Sequence, residues 1–380
     1  MSVRRGSSLR AVLAGSLVFG TVVVGSVVGG AVPASATTPT TVNCNAGGNL
    51  STAIAAAAPG STLAVSGTCT GNFYIDKSLT LAGPAILDGG GVPTTYGATL
   101  NVAAGTVFLN NLVIQNGVGI DGLGGGVWNG GQLTLNGTTV TNNTASSLGG
   151  GVFNFGQLTL NGSTVSHNTA GSGDGGGIFN CGASFHGYGL CTGAPGNLIL
   201  NNSNVSHNTA TSGDGGGIAN SGGATLNSSI VSGNSSGHLG GGIENNGTAT
   251  LNRSVVSNNS STGGSATWSG GGGLSNTGPT TINSSIMLDN SAAWLGGGVF
   301  AEGPMTIDKT IVTGNSAGPE GGGLVAWDGP TTVANSLFWN NSDHGVLVPD
   351  NPAGVWVAPA NFGGFFTNNP IFTTTHSWYR

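Results

Sequence analysis

From residue 79 to residue 348 the chain repeats short runs in which apolar and polar residues alternate. One unit reads Gly151-Val152-Phe153-Asn154, then Leu158-Thr159-Leu160-Asn161, then Ser163-Thr164-Val165-Ser166, and closes in an Asn-rich turn. Alternation with a period of two marks strands, and the Gly and Asn between the runs mark turns. A Gly-Gly-Gly triplet opens at Gly124, Gly149, Gly175, Gly215, Gly240, Gly271, Gly296 and Gly321, at intervals of 25, 26, 40, 25, 31, 25 and 25 residues. The two long intervals predict insertions, near 181–197 and 262–269. Three short strands per unit of about 25 residues suit one rung of a triangular solenoid, with rungs stacked about 4.8 Å apart.

Stacking turns repeat positions into columns. Leu135, Leu160, Leu200, Leu226, Leu251, Ile282 and Ile307 share one position and predict an inward aliphatic column, the main source of stability. Asn143, Asn168, Asn208, Asn234, Asn259, Asn290, Asn315 and Asn340 share another, and their amides are expected to hydrogen-bond from rung to rung. A Thr column (Thr134, Thr159, Thr225, Thr250, Thr281, Thr306, Thr331) reads as ordinary solvent-facing strand. Ile230, Val255, Ile286, Ile311 and Leu337 form an outward apolar column in the later rungs. It is a candidate contact face, so self-association stays open. The glycine triplets lack the Lys and the strand-to-helix context of a phosphate loop and read as corners.

The ends differ from the repeat. Residues 1–36 carry Arg4, Arg5 and Arg10, an apolar stretch and then Ala34-Ser35-Ala36, the pattern of a cleaved signal peptide. Residues 37–78 are expected to form an N-terminal cap, with a short amphipathic helix over 49–58 ended by Pro59-Gly60. Residues 349–380, rich in Phe and Trp, are expected to form a C-terminal cap. Signal removal would leave four basic against thirteen acidic residues, a net charge of −9. Nucleic acid is therefore an unfavourable partner, and no later segment is suited to membrane insertion. Cys44 with Cys69 and Cys181 with Cys191 read as two loop-closing disulfides of a secreted, extracellular or cell-surface-associated protein. Neither pair has the spacing of a zinc site, and no metal site is expected.

These residues resemble the pectate-lyase-like right-handed β-helix superfamily. They are similar, more narrowly, to secreted bacterial proteins with polymorphic outer-membrane-protein-type repeats. The resemblance covers Gly67-Thr68-Cys69-Thr70-Gly71-Asn72-Phe73, the stretch from Leu79-Thr80-Leu81 to Leu87-Asp88-Gly89-Gly90, and every glycine-triplet unit. The fold class expected is all-β: a right-handed, single-stranded parallel β-helix with three short strands per coil and a short capping helix. Such folds host lyases, hydrolases and adhesins, so the resemblance does not choose a function.

The residues themselves argue against lyase chemistry. A lyase of this superfamily needs a calcium-binding carboxylate cluster and an Arg or Lys base, but Lys77, Arg253, Lys309 and Arg380 are the only basic residues after the signal. No cofactor is expected, calcium entering only on the lyase reading. Paired Asp residues for hydrolysis do not occur in one step either. The candidate catalytic group is a near-duplicate on adjacent rungs: His167 and His207, with Asp174 and Asp214. Two carboxylates that close would raise one another's pKa or share a cation. His238, Glu244 and Asp343-His344 are read as isolated surface residues. The candidate ligand surface is an outward row of Trp128, Phe153 and Phe179 beside Phe185, His186 and Tyr188 of the disulfide-closed insertion. If open, the row would stack sugar rings; if the insertion folds over it, the row is buried. The leading expectation is a non-catalytic, adhesin-like polysaccharide or cell-surface glycan binder. A lyase or glycoside hydrolase comes second and a purely structural protein third.

Overall fold

The computed structural model describes residues 39–92, 97–119, 122–182, 191, 195–263, 270–318, 321–327, 329–342, 346–347 and 364–365. The signal segment and most of residues 349–380 lie outside these. Among the described residues the strands gather into three sheets, of 21, 11 and 8 strands, here sheets 1, 2 and 3. Every pairing is parallel except the last, where Leu337 and Phe338 meet Phe365 and Gly364 antiparallel. The all-β parallel β-helix expected from the repeat is therefore present, and the shift of about 25 residues between paired strands is its coil length. Among the described residues no helix is long and apolar enough to cross a membrane.

A central coil shows how sequence becomes rung. Ile243–Asn245 lies in sheet 2, Thr248–Asn252 and Val255–Ser257 in sheet 1, and Ser260–Ser261 in sheet 3. From Val127 to Ala317 each coil thus has four strand segments, distributed over three sheets, where three segments were expected. The fourth is only two residues long, too short for alternation to reveal. The ladder begins inside the segment read as the N-terminal cap, at Thr40–Asn43, which pairs with the strand Thr62–Thr70.

Corners explain the glycines. Gly149 sits at φ +66°, where a Cβ is strained, and Gly150 and Gly151 face crowding instead. A Cβ at Gly151 would lie 2.7 Å from Gly177 O and 2.8 Å from Asn168 Nδ2. Triplet and Asn column are therefore one device: the glycines leave room for the amides. Asn168 Nδ2 donates to Asn208 Oδ1 at 2.9 Å, and the same oxygen accepts the Asn168 backbone N–H at 3.0 Å. The pattern repeats without a break from Asn143 to Asn341. The last member is Asn341, correcting the expected Asn340, and the last Thr of its column is Thr332, not Thr331, which is buried. Both slips have one cause. The turn Trp327–Pro330 is one residue longer than its counterpart Glu302–Pro304.

The core fills the solenoid with the expected aliphatic column, from Leu109 through Leu135 to Ile307 and Val333, all buried. The capping helix spans Leu50–Ala56, with the Asn49 side chain accepting the Thr52 N–H at 2.9 Å and Leu50 and Ile54 buried against the core. Both expected disulfides, Cys44 with Cys69 and Cys181 with Cys191, are formed.

Candidate functional site

The outward column of sheet 2 runs Tyr74, Asn101, Trp128, Phe153, Phe179, Ala219, Glu244, Ser275, Phe300, Val325. The residue before each glycine triplet forms a neighbouring column of Leu123, Leu148, Asp174, Asp214, Leu239, Gly270 and Leu295. This second column packs against the first. Leu148 clusters with Phe153 and Phe179, and Leu295 clusters with Phe300 and Val325. A covering layer of this kind is what buries the aromatic row. Phe153 and Phe179 are stacked with centroids 5.6 Å apart, yet each is only 1% exposed, closed in with Leu148, Cys181, Cys191 and Ala219. Of the two alternatives, an open row or a covered one, Phe153 and Phe179 take the covered one, under Leu148 and the Cys181–Cys191 disulfide of the insertion. Trp128 stays half-buried, its ring 2.8 Å from where a Gly130 Cβ would stand. Phe185, His186 and Tyr188 lie outside the described residues.

Between the two apolar clusters both columns turn polar. Asp174 and Asp214 replace leucine, and Glu244 and Ser275 replace aromatic or aliphatic residues. Glu244 is 4% exposed and Ser275 is 1% exposed, so the expectation that Glu244 is a surface residue is overturned. His238 is not isolated either: its Nδ1 stands 3.9 Å from Asp214 Oδ1. The two Asp residues are held by the backbone. Asp174 Oδ1 accepts the Asp214 N–H at 2.9 Å, and Asp214 Oδ1 accepts the Leu239 N–H at 2.7 Å.

Electrostatics ties the group together. Burial pushes the Glu244 carboxyl well above the ordinary range, and the charges of Asp214 and Asp174 push it further. Asp174 is pushed up to about 6, chiefly by burial, against the pull of the Asp214 N–H. Asp214 is raised by burial too, opposed by the Leu239 N–H and His238. Carboxyls with raised and graded pKa values beside one histidine can divide acid and base roles.

The other predicted pair stands elsewhere. His167 and His207 stack on adjacent rungs, rings parallel within 5° and centroids 5.1 Å apart. The strand Thr169–Ala170 and the turn after it separate His167 from Asp174 along the chain. The charges that act on Asp174 come from Asp214 and His238. The expected four-residue group therefore divides, and Glu244 and His238 join the Asp pair. A signal for this was present in the repeat: Glu244 aligns with Phe153 and Phe179, and Asp174 and Asp214 align with Leu148 and Leu239.

No family model matches the chain, and no curated protein matches it. Among solved structures, a crystal structure of pectate lyase Pel9A is similar at a TM-score of 0.47 and 16% identity, covering 83% of this chain and 82% of that one. The fold assignment stands on the strand pairing given above.

Proposed function

We propose that this chain is an exported protein that hydrolyses a polysaccharide, with Glu244, Asp214, Asp174 and His238 as its working centre. The observation that carries the reading is Glu244, a carboxyl buried within the field of Asp214, one rung away, and Asp174, two rungs away, at a position that is apolar in the aromatic rungs. Burying a carboxyl costs free energy that a phenylalanine there would not, which marks the position as a candidate for chemistry. Export rests on the signal-like first 36 residues, and the two disulfides agree with an oxidising compartment.

Glycosidic hydrolysis needs one carboxyl that is protonated and one that is ionised. Glu244, held neutral by burial and by its negative neighbours, would protonate the leaving oxygen. Asp214, whose side chain is 27% exposed, would take the proton of the attacking water. His238 is 52% exposed and stands at the open side of the group. Elimination from a uronate would need a cation at this centre, and the described cations are occupied or placed elsewhere. Lys77 Nζ donates to Ala55 O and Ala57 O, Lys309 pairs with Asp308 at 3.1 Å, and Arg253 is an exposed corner residue of sheet 1. A neutral polymer therefore suits the centre better than a uronate.

The test is release of reducing ends from a panel of neutral and uronate polymers. Wild type is expected to release them from a neutral polymer, and Glu244→Gln to lose that release with an unchanged melting temperature. Equal rates in the two proteins would sink the reading. Glycan binding without catalysis is the second reading, favoured by half-buried Trp128. It predicts that Trp128→Ala lowers retention on a glycan array while Glu244→Gln does not.

A further inference from the structure

We propose that His167 and His207 form a two-imidazole clamp for a borderline divalent transition metal of the copper, nickel and zinc class. The two residues occupy a corner column that runs Asn142, His167, His207, Gly233, Asn258, Asp289, Gly314 and Asn340, all but the last donating the backbone N–H to the next rung. Every member has positive φ, 56° at His167 and 55° at His207, a conformation that favours Gly, Asn and Asp. Histidine enters this column twice, on adjacent rungs. Both side chains are exposed, and their rings lie parallel with centroids 5.1 Å apart. The His207 ring also leans over the following rung, where a Gly233 Cβ would come within 3.1 Å of Nε2; glycine leaves that space free.

Imidazole nitrogen is the preferred donor for copper, nickel and zinc. Metal to nitrogen bonds of about 2.0–2.1 Å place two ligating nitrogens no more than about 4.2 Å apart. Imidazole lone pairs lie in the ring plane, so the two parallel, exposed rings would rotate out of their stack until one nitrogen of each converges on the ion. Among the described residues no third His, Cys, Asp or Glu completes a cluster, so water would fill the remaining positions. A chain with formal net charge −6 favours the approach of a cation.

Nickel titration of the full chain by calorimetry tests the clamp, using wild type, His167→Asn, His207→Asn and the double variant. Asn is the residue of this corner at Asn142 and Asn258, so the substitutions keep its conformation. Wild type is expected to bind one nickel ion that each single variant binds at least about tenfold more weakly, because a chelate loses its second donor. The double variant should bind little more weakly than either single one. Single variants that bind like wild type, or losses that multiply in the double variant, would overturn the proposal. Copper paramagnetic resonance of the wild-type chain provides a check independent of the variants: two imidazole nitrogens at the added copper are expected, and a count of one refutes the clamp.

Discussion

Asp174→Asn isolates the electrostatic strain at the polar break. The folded carboxyl titrates near 6 against an ordinary 3.8, so between those pH values the unfolded chain releases a proton that the folded chain retains. The folded state binds more protons in that window, and stability falls as pH rises through it, then levels off above about 6. A shift of about two pKa units corresponds to about 3 kcal/mol. Asparagine keeps an oxygen for the Asp214 N–H, now at 2.9 Å, and removes the charge. The variant should therefore match wild type near pH 3 and exceed it by up to about 3 kcal/mol at pH 7. Glu244, relieved of a negative neighbour, would add in the same direction. Thermal unfolding followed by circular dichroism from pH 3 to pH 7 reads the difference. A gap between variant and wild type that does not grow with pH would refute the assignment of Asp174 as a buried, raised carboxyl.

Three further outcomes follow from the packing. Asn234→Ala removes the donor to Asn259 Oδ1 (2.9 Å) and Val205 O (3.0 Å) and the acceptor of two Asn208 N–H groups, and should cost about 2–4 kcal/mol in denaturant unfolding. Gly151→Ala forces a Cβ against Gly177 O and the Asn168 amide, and is expected to lower soluble yield and melting temperature, whereas Gly162→Ala meets nothing within 4 Å and carries only the cost of φ +54°. Leu200→Ala, in the middle of the aliphatic column, should cost about 2–5 kcal/mol, measured as a shift of the denaturant midpoint with an unchanged slope.

Much of this molecule is legible in one dimension because a solenoid is nearly one-dimensional: every residue's neighbours lie one coil before and one coil after it. The coil length, the Leu and Asn columns and the glycine corners could be read from the repeat, and the capping helix and both cysteine pairs from local sequence. Within the Asn and Thr columns the reading slipped only where the coil length changed, at Asn341 and Thr332, one residue past the longer turn.

What the repeat could not supply is the contact across a corner within one coil. Strand parity says that Phe153, Phe179 and Glu244 point away from the interior, but not that the residue before each glycine triplet folds back over that outward face. This fold-back buries Phe153 and Phe179 and encloses Glu244 with Asp174 and Asp214. The sequence by itself determined the rungs and the columns, since these follow from periodicity and strand spacing. The tertiary structure decided which outward columns meet water and which carboxyls share a low-dielectric site, because burial depends on what lies above a face as well as on which way the face points.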